Sequence, residues 1–388
     1  MGRVMLLTGA SGALGPHLLA ELLGSKDVDR VFVLLRPGTS DSSARVEQLR
    51  HTVLRLASGS SPALPIQFDR LWPARGDVRQ PLLGLDRSTA RELARTVDVI
   101  VHAAAQTSFQ ATWRDAHAVN VEGTQNALEL GRRCQRLSQF LLVSTACVAG
   151  ARMGTIQEQT GPVSPDFFNS YERSKWEAER AAVTAGLPVR IARLSTCVGS
   201  ERNGYVHRFG AVHHLLHWYM RGLLPLIPGR DDAGVDLIAT DVAASWIARA
   251  ATSDRSDCGT CHIAAGRSAP TLRELLDCVI DHVNEGHPGR IRLERPPVVD
   301  AETFALFRRS IEQTRDRLFL AVLRATDAFL PGLTHPRVYE TREAEKLWGG
   351  PLPLSDWRTT VRRVIDFGCA TRWRNRRVQD GCHAMCHA

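Results

Sequence analysis

Three glycines at three-residue spacing, Gly9, Gly12 and Gly15, follow the short apolar segment Val4–Leu7 and precede Pro16–Leu23, whose leucines recur at helical spacing. In a strand–turn–helix unit the first glycine allows a tight turn, the second lets the backbone approach a pyrophosphate, and the third lets helix and strand pack closely. The helix N-terminus then directs N–H groups and partial positive charge at the phosphates. The run therefore predicts a dinucleotide site. The loop residues predicted to contact the dinucleotide are Thr8, Gly9, Ser11, Gly12, Ala13, Leu14 and Gly15.

Apolar segments of strand length alternate with helical segments over about the first 200 residues. The predicted strands after the first are Val31–Leu35, Leu71–Arg75, Val97–His102, Phe140–Val143 and Val189–Leu194, and the predicted helices are Asn120–Cys134 and Tyr171–Ala185. This alternation is typical of a parallel sheet with helices on both faces. We therefore expect an α/β protein with a Rossmann-type doubly wound parallel sheet over residues 1–200, to which residues 235–266 return. Residues 201–234 and 267–388 are expected to form a smaller, mostly helical C-terminal substrate lobe and tail.

Arg36 follows the second predicted strand, at the position that contacts the adenosine ribose in units of this type. A carboxylate there would accept a hydrogen bond from the 2′-hydroxyl and favour NAD, whereas a guanidinium suits a 2′-phosphate through paired hydrogen bonds. We therefore predict NADP(H) as the cofactor. Arg45 is a candidate for a second phosphate contact, and a solvated arginine on a helix face is an equal alternative.

Two further strand ends carry candidate cofactor contacts. Asp77 and Val78 follow the third predicted strand, where an aspartate beside an apolar residue suits the amino group and ring of adenine. An ordinary turn aspartate is the alternative. His102, Ala103 and Ala104 end the fourth strand, where small side chains allow either a cofactor close to the backbone or a tightly packed helix.

Tyr171 and Lys175 lie four residues apart in a predicted helix, so their side chains share one face. An ammonium near a phenol favours the phenolate, which would lower the pKa of Tyr171 from about 10 toward neutral pH and suit it to proton transfer with a carbonyl oxygen. Lys175 can also donate hydrogen bonds to ribose hydroxyls, and it is one of only three lysines among 49 basic residues. Ser144 and Thr145 end the most apolar strand, where a hydroxyl can bind a developing oxyanion.

These motifs occur in the order found in the extended short-chain dehydrogenase/reductases, which the chain resembles. Within that superfamily it is similar to the fatty acyl-CoA reductase and thioester reductase branch, which includes the terminal reductase domains of carboxylic acid reductases and nonribosomal peptide synthetases. The matching stretches are Thr8–Gly15, Val31–Arg36, Val97–Ala105, Asn120–Thr124, Val143–Gly150, Tyr171–Glu179 and Val235–Val242. The resemblance implies Thr145, Tyr171 and Lys175 as the catalytic residues. It also implies either a packing or a proton-relay role for Asn120.

The resemblance implies an NADPH-dependent reductase that converts an acyl thioester, carried by CoA or by a carrier protein, to an aldehyde. No residue decides whether a second hydride transfer continues to the alcohol. Leu215–Ile227 is a candidate wall of an acyl pocket. Phe304–Leu330, which we expect to be a single long helix, is a second candidate. Apolar residues at helical spacing more often form ordinary hydrophobic core. Two alternatives stay open. One is a sugar-nucleotide epimerase/dehydratase or hydroxysteroid-type dehydrogenase, and the other is a non-catalytic NADP-sensing protein.

The chain has a net charge of +8, of which residues 301–388 contribute +5. No aromatic-basic nucleic-acid module is visible, so we expect no nucleic-acid partner. We assign part of the charge to bound anions, with Arg36 binding a 2′-phosphate and the basic tail binding CoA phosphates or an acidic carrier protein. No apolar run reaches the roughly 18 residues of a transmembrane segment, and no signal-peptide layout is present, so we expect a cytoplasmic protein. The Cys/His patterns at 258–262 and 382–387 are interpreted as chance, so no metal site is expected. The oligomeric state is not predicted.

Overall fold

The computed structural model describes residues 2–38, 42–58, 65–161, 165–253, 259–286, 292–314, 316–327 and 330–374. The strands in these ranges are β1 (Arg3–Thr8), β2 (Val28–Leu35), β3 (Leu71–Arg75), β4 (Val99–His102), β5 (Gln139–Thr145), β6 (Gly154–Ile156), β7 (Val189–Leu194), β8 (Thr196–Cys197), β9 (Ile227–Pro228), β10 (Leu237–Ile238), β11 (Gly259–Ile263), β12 (Val298–Val299) and β13 (Arg337–Tyr339). The α-helices are α1 (Gly15–Gly24), α2 (Ser42–Ser58), α3 (Arg87–Thr96), α4 (Trp113–His117), α5 (Gly123–Arg133), α6 (Ser170–Val183), α7 (Ala211–Met220), α8 (Thr240–Thr252), α9 (Leu272–Gly286), α10 (Ala301–Thr314), α11 (Arg317–Asp327), α12 (Leu330–Thr334), α13 (Arg342–Trp348) and α14 (Trp357–Ala370).

Within the described ranges, seven parallel strands form the main sheet, in the order β11-β7-β5-β4-β1-β2-β3. The strand order reverses between β1 and β4, because β2 and β3 lie on one side of β1 while β4 and β5 lie on the other. In an open parallel sheet, ligands bind beyond the carboxyl ends of the strands at such a reversal. The order confirms the predicted Rossmann-type doubly wound fold and places the glycine turn, which follows β1, at the reversal.

The central strands are buried on both faces, so they are apolar throughout rather than alternating with polar residues. On one face Leu7 belongs to a core that includes Leu18 of α1 and Trp246 of α8. On the other face Leu6 packs in a core with Leu128 of α5, to which α3 and α6 also contribute. Two helical layers therefore hold the sheet rigid from both sides and fix the positions of the strand ends.

A third apolar cluster lies outside the two sheet layers. It includes Tyr219 of α7, Val279 of α9 and Ile365 of α14, and it is the core of the helical lobe. One segment of the expected lobe lies elsewhere. The indole N–H of Trp246 donates to the carbonyl of Ala344 at 3.0 Å, so α13 packs on α8 of the sheet layers.

One helix prediction in the lobe needs correction. The stretch Phe304–Leu330 is wrong as a single helix, because α10 and α11 are separate. The Asp316 carboxylate accepts a hydrogen bond from the backbone N–H of Leu318 at 2.8 Å, which caps the start of α11. Before α9, residues 266–268 form a separate 3₁₀ turn. Among the helices described, none is both long enough and apolar enough to cross a membrane.

Candidate active site

The turn between β1 and α1 is closely packed at its first and last glycines. Gly9 has a φ of +79°, and a Cβ on it would lie 2.6 Å from the Ala103 carbonyl. A Cβ on Gly15 would lie 2.3 Å from the Ala10 carbonyl oxygen. Only glycine fits at either position. The turn thus brings its backbone close to the end of β4 and starts α1 directly behind it, which is the cradle that a dinucleotide pyrophosphate requires.

A buried hydrogen-bond chain connects β1 to β4 beside this turn. Thr8 Oγ1 lies 3.0 Å from His102 Nδ1, and the backbone N–H of Ala104 donates to Thr8 Oγ1 at 3.1 Å. Burial lowers the pKa of His102 to about 3, so its imidazole is neutral at physiological pH. The predicted residues of β1 and β4 therefore lie together, with the His102 side chain in the core and the backbone of the two alanines beside the turn.

Arginines surround the end of β2. Arg36 is exposed, and the Arg45 guanidinium donates a hydrogen bond to the Arg36 backbone carbonyl. The Arg45 side chain therefore lies against the backbone at the end of β2. The Asp77 carboxylate is bound by Arg79, whose Nη2 lies 2.7 Å from Oδ2. This hydrogen bond, together with the charge of Arg36, lowers the pKa of Asp77. Sequence reasoning missed Arg79, although an arginine two residues after the aspartate was visible.

Val78 lies in the core rather than in the cleft. Its side chain is 8% exposed, and it packs against Gly123 of α5, where a Cβ would lie 3.2 Å from Val78 Cγ2. The Val78 carbonyl accepts a hydrogen bond from Asn126 Nδ2 at 2.9 Å. The strand end thus offers the Asp77 carboxylate to a ligand more readily than the Val78 side chain.

The hydroxyl, phenol and ammonium predicted as a catalytic group come together at the carboxyl end of β5. Thr145 is the last residue of β5, and its hydroxyl hydrogen-bonds to the phenol of Tyr171 near the start of α6. Lys175 lies one turn further along α6, is 2% exposed, and donates from Nζ to the Val143 carbonyl at 2.8 Å. The Asn169 side chain caps α6 by accepting from the Glu172 N–H, which fixes where the helix begins.

Burial sets the protonation of this group and reverses one expectation. The sequence predicts that the ammonium lowers the pKa of Tyr171, but burial raises that pKa, and the hydrogen bond from Thr145 offsets only part of the effect. Burial also lowers the pKa of Lys175 to about 8, with Glu179 acting in the opposite direction. The desolvation of a buried phenolate outweighs the nearby ammonium, whose hydrogen bond goes to Val143. At neutral pH both Tyr171 and Lys175 are therefore protonated.

Strand alternation separates the two candidate hydroxyls. The Ser144 hydroxyl is buried and donates to the Glu179 carboxylate at 2.6 Å. Thr145 points to the other side of β5, where it contacts Tyr171 and accepts from the Cys147 N–H at 3.2 Å. The geometry therefore favours Thr145 over Ser144 as the oxyanion ligand, in agreement with the family resemblance.

Asn120 holds the loop after β4 against the catalytic helix. It lies in the π-helical turn Ala118–Glu122 and is fully buried. Its Nδ2 donates to Ser174 Oγ at 2.8 Å, and its Oδ1 accepts from the Gln106 N–H at 2.8 Å. This loop also carries Phe109, whose ring meets Tyr171 edge-on at 5.5 Å between centroids. Of the two roles left open for Asn120, these contacts favour packing.

One contact from the lobe reaches the glycine turn. The His207 imidazole hydrogen-bonds to the Ser11 backbone and lies 3.1 Å from the Tyr205 hydroxyl. Burial lowers the pKa of His207 to about 4, so the contact is made by a neutral ring. The Arg55 guanidinium of α2 lies 5.9 Å from the Tyr205 ring centroid. No sequence signal pointed to His207, because nearly 200 residues separate it from the turn.

A cavity of about 420 Å³ lies beyond the ends of β10 and β11. Val198, Ile238 and Ala264 line it from the core, and Leu352 and Trp357 line it from the C-terminal segment. The two stretches predicted to wall an acyl pocket do not contribute to it. In the described residues of those stretches, buried side chains such as Tyr219 and Val322 instead form the lobe core.

Comparison with known proteins identifies the family. A family model described as "Male sterility protein", which is an NAD-binding family, matches residues 7–247, from the glycine turn through most of α8. The chain belongs to this family. The matched region contains Thr145, Tyr171 and Lys175, and membership confirms both the predicted resemblance and a nicotinamide dinucleotide as the cofactor.

Individual relatives agree with this assignment. The isonitrile lipopeptide synthase of Streptomyces coeruleorubidus is 34% identical over 209 residues, which cover 52% of this chain and 14% of that protein. Fatty acyl-CoA reductase 2, chloroplastic, of Arabidopsis thaliana is 31% identical over 167 residues, which cover 41% of this chain and 27% of that protein. The chain thus spans less than a third of either curated relative.

Among solved structures, the terminal R domain of the myxalamid PKS-NRPS biosynthetic pathway superposes on nearly the whole chain. The TM-score is 0.78 at 26% sequence identity, with 96% of this chain and 92% of that chain covered. The similarity therefore extends through the helical lobe and is not confined to the dinucleotide-binding sheet.

Proposed function

We propose that this chain is an NADPH-dependent reductase that converts acyl thioesters to aldehydes. The observation that carries the proposal is the group formed by the Thr145 hydroxyl, the Tyr171 phenol and the buried Lys175 ammonium at the carboxyl edge of the sheet. The group lies at the same carboxyl edge of the sheet as the glycine turn, where a nicotinamide dinucleotide binds in this fold. The similarity to fatty acyl-CoA reductase 2 and to the myxalamid R domain supports the choice of thioester.

The protein supplies hydrogen bonds and a proton. When bound, the dinucleotide supplies the hydride that reduces the carbonyl carbon. Thr145 and Tyr171 donate hydrogen bonds to the carbonyl oxygen and stabilise its growing negative charge. Tyr171 then transfers its proton to that oxygen, and the raised pKa suits this direction because it keeps the phenol protonated. With the dinucleotide bound, Lys175 would donate hydrogen bonds to the ribose hydroxyls, and its charge would stabilise the transient phenolate.

The product of this first step is a hemithioacetal. Its C–S bond breaks, the hydroxyl proton is lost, and the electron pair that leaves with sulfur takes up a proton. The net reaction of thioester, reduced dinucleotide and one proton gives aldehyde, thiol and oxidised dinucleotide. The thiol belongs to CoA or to the phosphopantetheine arm of a carrier protein, which are the two thioester carriers considered for this branch.

The proposed selectivity for NADPH rests on the end of β2. Arg36 is exposed there, and the Arg45 guanidinium is hydrogen-bonded to the Arg36 backbone carbonyl, where the adenosine ribose is expected. A 2′-phosphate would accept charge-assisted hydrogen bonds from both guanidinium groups. The Asp77 carboxylate, which follows β3, is paired with Arg79, which offsets its negative charge.

The direct test is oxidation of NADPH with a panel of acyl-CoAs, acyl-carrier thioesters, aldehydes and nucleotide sugars, followed at 340 nm. We expect turnover of thioesters in the wild-type protein and a loss of at least about 100-fold in Tyr171→Phe, with cofactor affinity retained. Tyr219→Phe is the matched control, because the Tyr219 hydroxyl bonds the Glu294 carbonyl within the lobe. The absence of NADPH oxidation with every thioester and aldehyde would overturn the proposal, and full activity of Tyr171→Phe would refute the assigned proton donor.

A further inference from the structure

Four buried polar side chains from four elements meet behind the catalytic strand end. Ser144 of β5, Glu179 of α6, Arg193 of β7 and His262 of β11 are each no more than 5% exposed. Burying charged groups costs more free energy than burying apolar side chains of similar volume. Stability alone is therefore a weak reason for this arrangement, which we call the buried ion-pair network.

The contacts within the network leave the Glu179 carboxylate well coordinated. Arg193 binds it from Nη2 at 2.6 Å and from Nε at 3.0 and 3.2 Å, and Ser144 donates to it at 2.6 Å. The second terminal nitrogen of Arg193 donates to the Gln159 carbonyl at 3.1 Å and lies 3.4 Å from His262 Nε2. Every member is thus held by neighbours on other elements, which makes the position of Glu179 rigid.

The network holds the strand end and the helix that carry the catalytic group. Ser144 lies between Val143, whose carbonyl accepts from the Lys175 ammonium at 2.8 Å, and Thr145, whose hydroxyl contacts Tyr171. Glu179 is one helical turn beyond Lys175 on α6, and its negative charge favours the protonated amine. A displacement of Ser144 would therefore shift both groups that flank it in the chain.

We propose that Ser144 and Glu179 are positioning residues of the reductase. Through the ion pair between Glu179 and Arg193, these two residues fix the positions of the Thr145 hydroxyl and the Lys175 ammonium. The inference rests on the proposed function, because it assigns a task within that reaction. Neither residue touches substrate or cofactor. Small displacements of reacting groups lower rates strongly, so the effect falls on kcat rather than on binding.

The first test compares two buried serines that each donate to a buried carboxylate. Ser144→Ala removes the contact with Glu179, and Ser200→Ala removes an equivalent bond of 2.7 Å to Asp241, away from β5. We expect Ser144→Ala to lower kcat roughly tenfold with an unchanged KM for NADPH, while Ser200→Ala retains kcat. Equal kcat values for the two variants, at similar melting temperatures, would overturn the positioning role.

The second test compares the buried Glu179 with the half-buried Glu158. Glu179→Gln removes the charge beside Lys175, whereas Glu158→Gln changes a carboxylate that accepts from the backbone N–H groups of His262 and Glu343 and has no bond to β5 or α6. The pKa of Lys175 is about 8, so the amine loses its proton as pH rises through that value. Because the proposed reaction uses the Lys175 ammonium, we expect activity to fall over the same pH range. We expect Glu179→Gln to move this fall to lower pH and Glu158→Gln to leave it in place. Ser144→Ala keeps the inference testable if Glu179→Gln does not fold.

The groups that face Lys175 are Tyr171 and Glu179 on its own helix and His102 on β4, which burial keeps neutral. Glu179 is the group among these three that raises the pKa of Lys175, so a shifted profile reports on it. A wild-type protein that reduces no thioester would refute the proposed function itself. An active wild-type protein whose pH profile is the same in Glu179→Gln would refute only the positioning role.

Discussion

Arg36 is the residue on which the proposed selectivity for NADPH chiefly depends. Its place after β2 was predicted from the motif, and the structure adds that Arg45 lies against its carbonyl. The Arg36 side chain is exposed, and the hydrogen bond from Arg45 goes to the Arg36 backbone carbonyl, which any residue supplies. Replacement of Arg36 therefore tests ligand recognition with little effect on folding.

We expect Arg36→Ala to weaken NADPH binding by about 10- to 100-fold, because a charge-assisted contact to the 2′-phosphate contributes roughly 1.5–3 kcal/mol. NADH affinity should stay within about twofold of wild type, since that cofactor lacks the phosphate. Titration of each cofactor by fluorescence measures both. Arg133→Ala, at a surface pair with Glu129, is the matched control. Equal weakening of both cofactors would contradict the phosphate assignment.

At the scale of elements, the β1–α1 unit depends on backbone contacts that only glycine allows. A Cβ on Gly15 would meet backbone atoms of Ala10 and Gly9 at 2.3–2.4 Å, and neither neighbour can move without separating α1 from β1. At Gly12 the nearest contact is 3.1 Å, which a small shift relieves. An added methyl group therefore disrupts the packing of α1 on β1 at Gly15, whereas at Gly12 it is accommodated by a small shift.

We expect Gly15→Ala to lower the free energy of unfolding by about 2 kcal/mol or more, since the added methyl group overpacks a backbone contact. Gly12→Ala should retain most stability but weaken dinucleotide binding, because the methyl group stands at the phosphate cradle. Chemical denaturation and cofactor titration separate the effects. Gly259→Ala is the control, since a Cβ there meets nothing within 4 Å. A Gly15→Ala protein as stable as this control would disprove the packing argument.

At the scale of the whole molecule, the lobe and the sheet layers meet at the glycine turn. His207 bonds the Ser11 backbone from the lobe side, and Tyr205 bonds His207 in turn. Tyr205 also packs edge-on against Phe367 of α14 at 5.4 Å between centroids. A ligand in the turn is thereby connected to the lobe core through three aromatic side chains.

We expect NADPH to slow amide hydrogen exchange in residues 203–209 as well as in the turn, because a ligand that binds the turn stabilises what the turn contacts. His207→Phe should lose the protection in 203–209 and weaken NADPH binding about three- to tenfold. His214→Phe, on the exposed side of α7, should behave as wild type. Unchanged protection in His207→Phe would show that the contact does not couple the two regions.

The sequence by itself determined the local chemistry. The glycine spacing, the apolar strands buried on both faces and the Tyr171–Lys175 pair all act within one strand–turn–helix unit or one helical turn, where spacing in the chain fixes spacing in the molecule. The fold class and the joining of Thr145 with Tyr171 and Lys175 therefore followed from the residues and the family they resemble.

Only the tertiary structure determined the protonation states of the buried groups and the contacts between residues on different elements. Burial raises the pKa of Tyr171, which reverses the direction expected from its lysine, because desolvation depends on every element packed around the phenol. The contact of His207 with the turn and the ion pair between Glu179 and Arg193 join residues that are distant in the chain or lie on different elements. Spacing along a sequence carries no information about such contacts, since they arise only when the layers assemble.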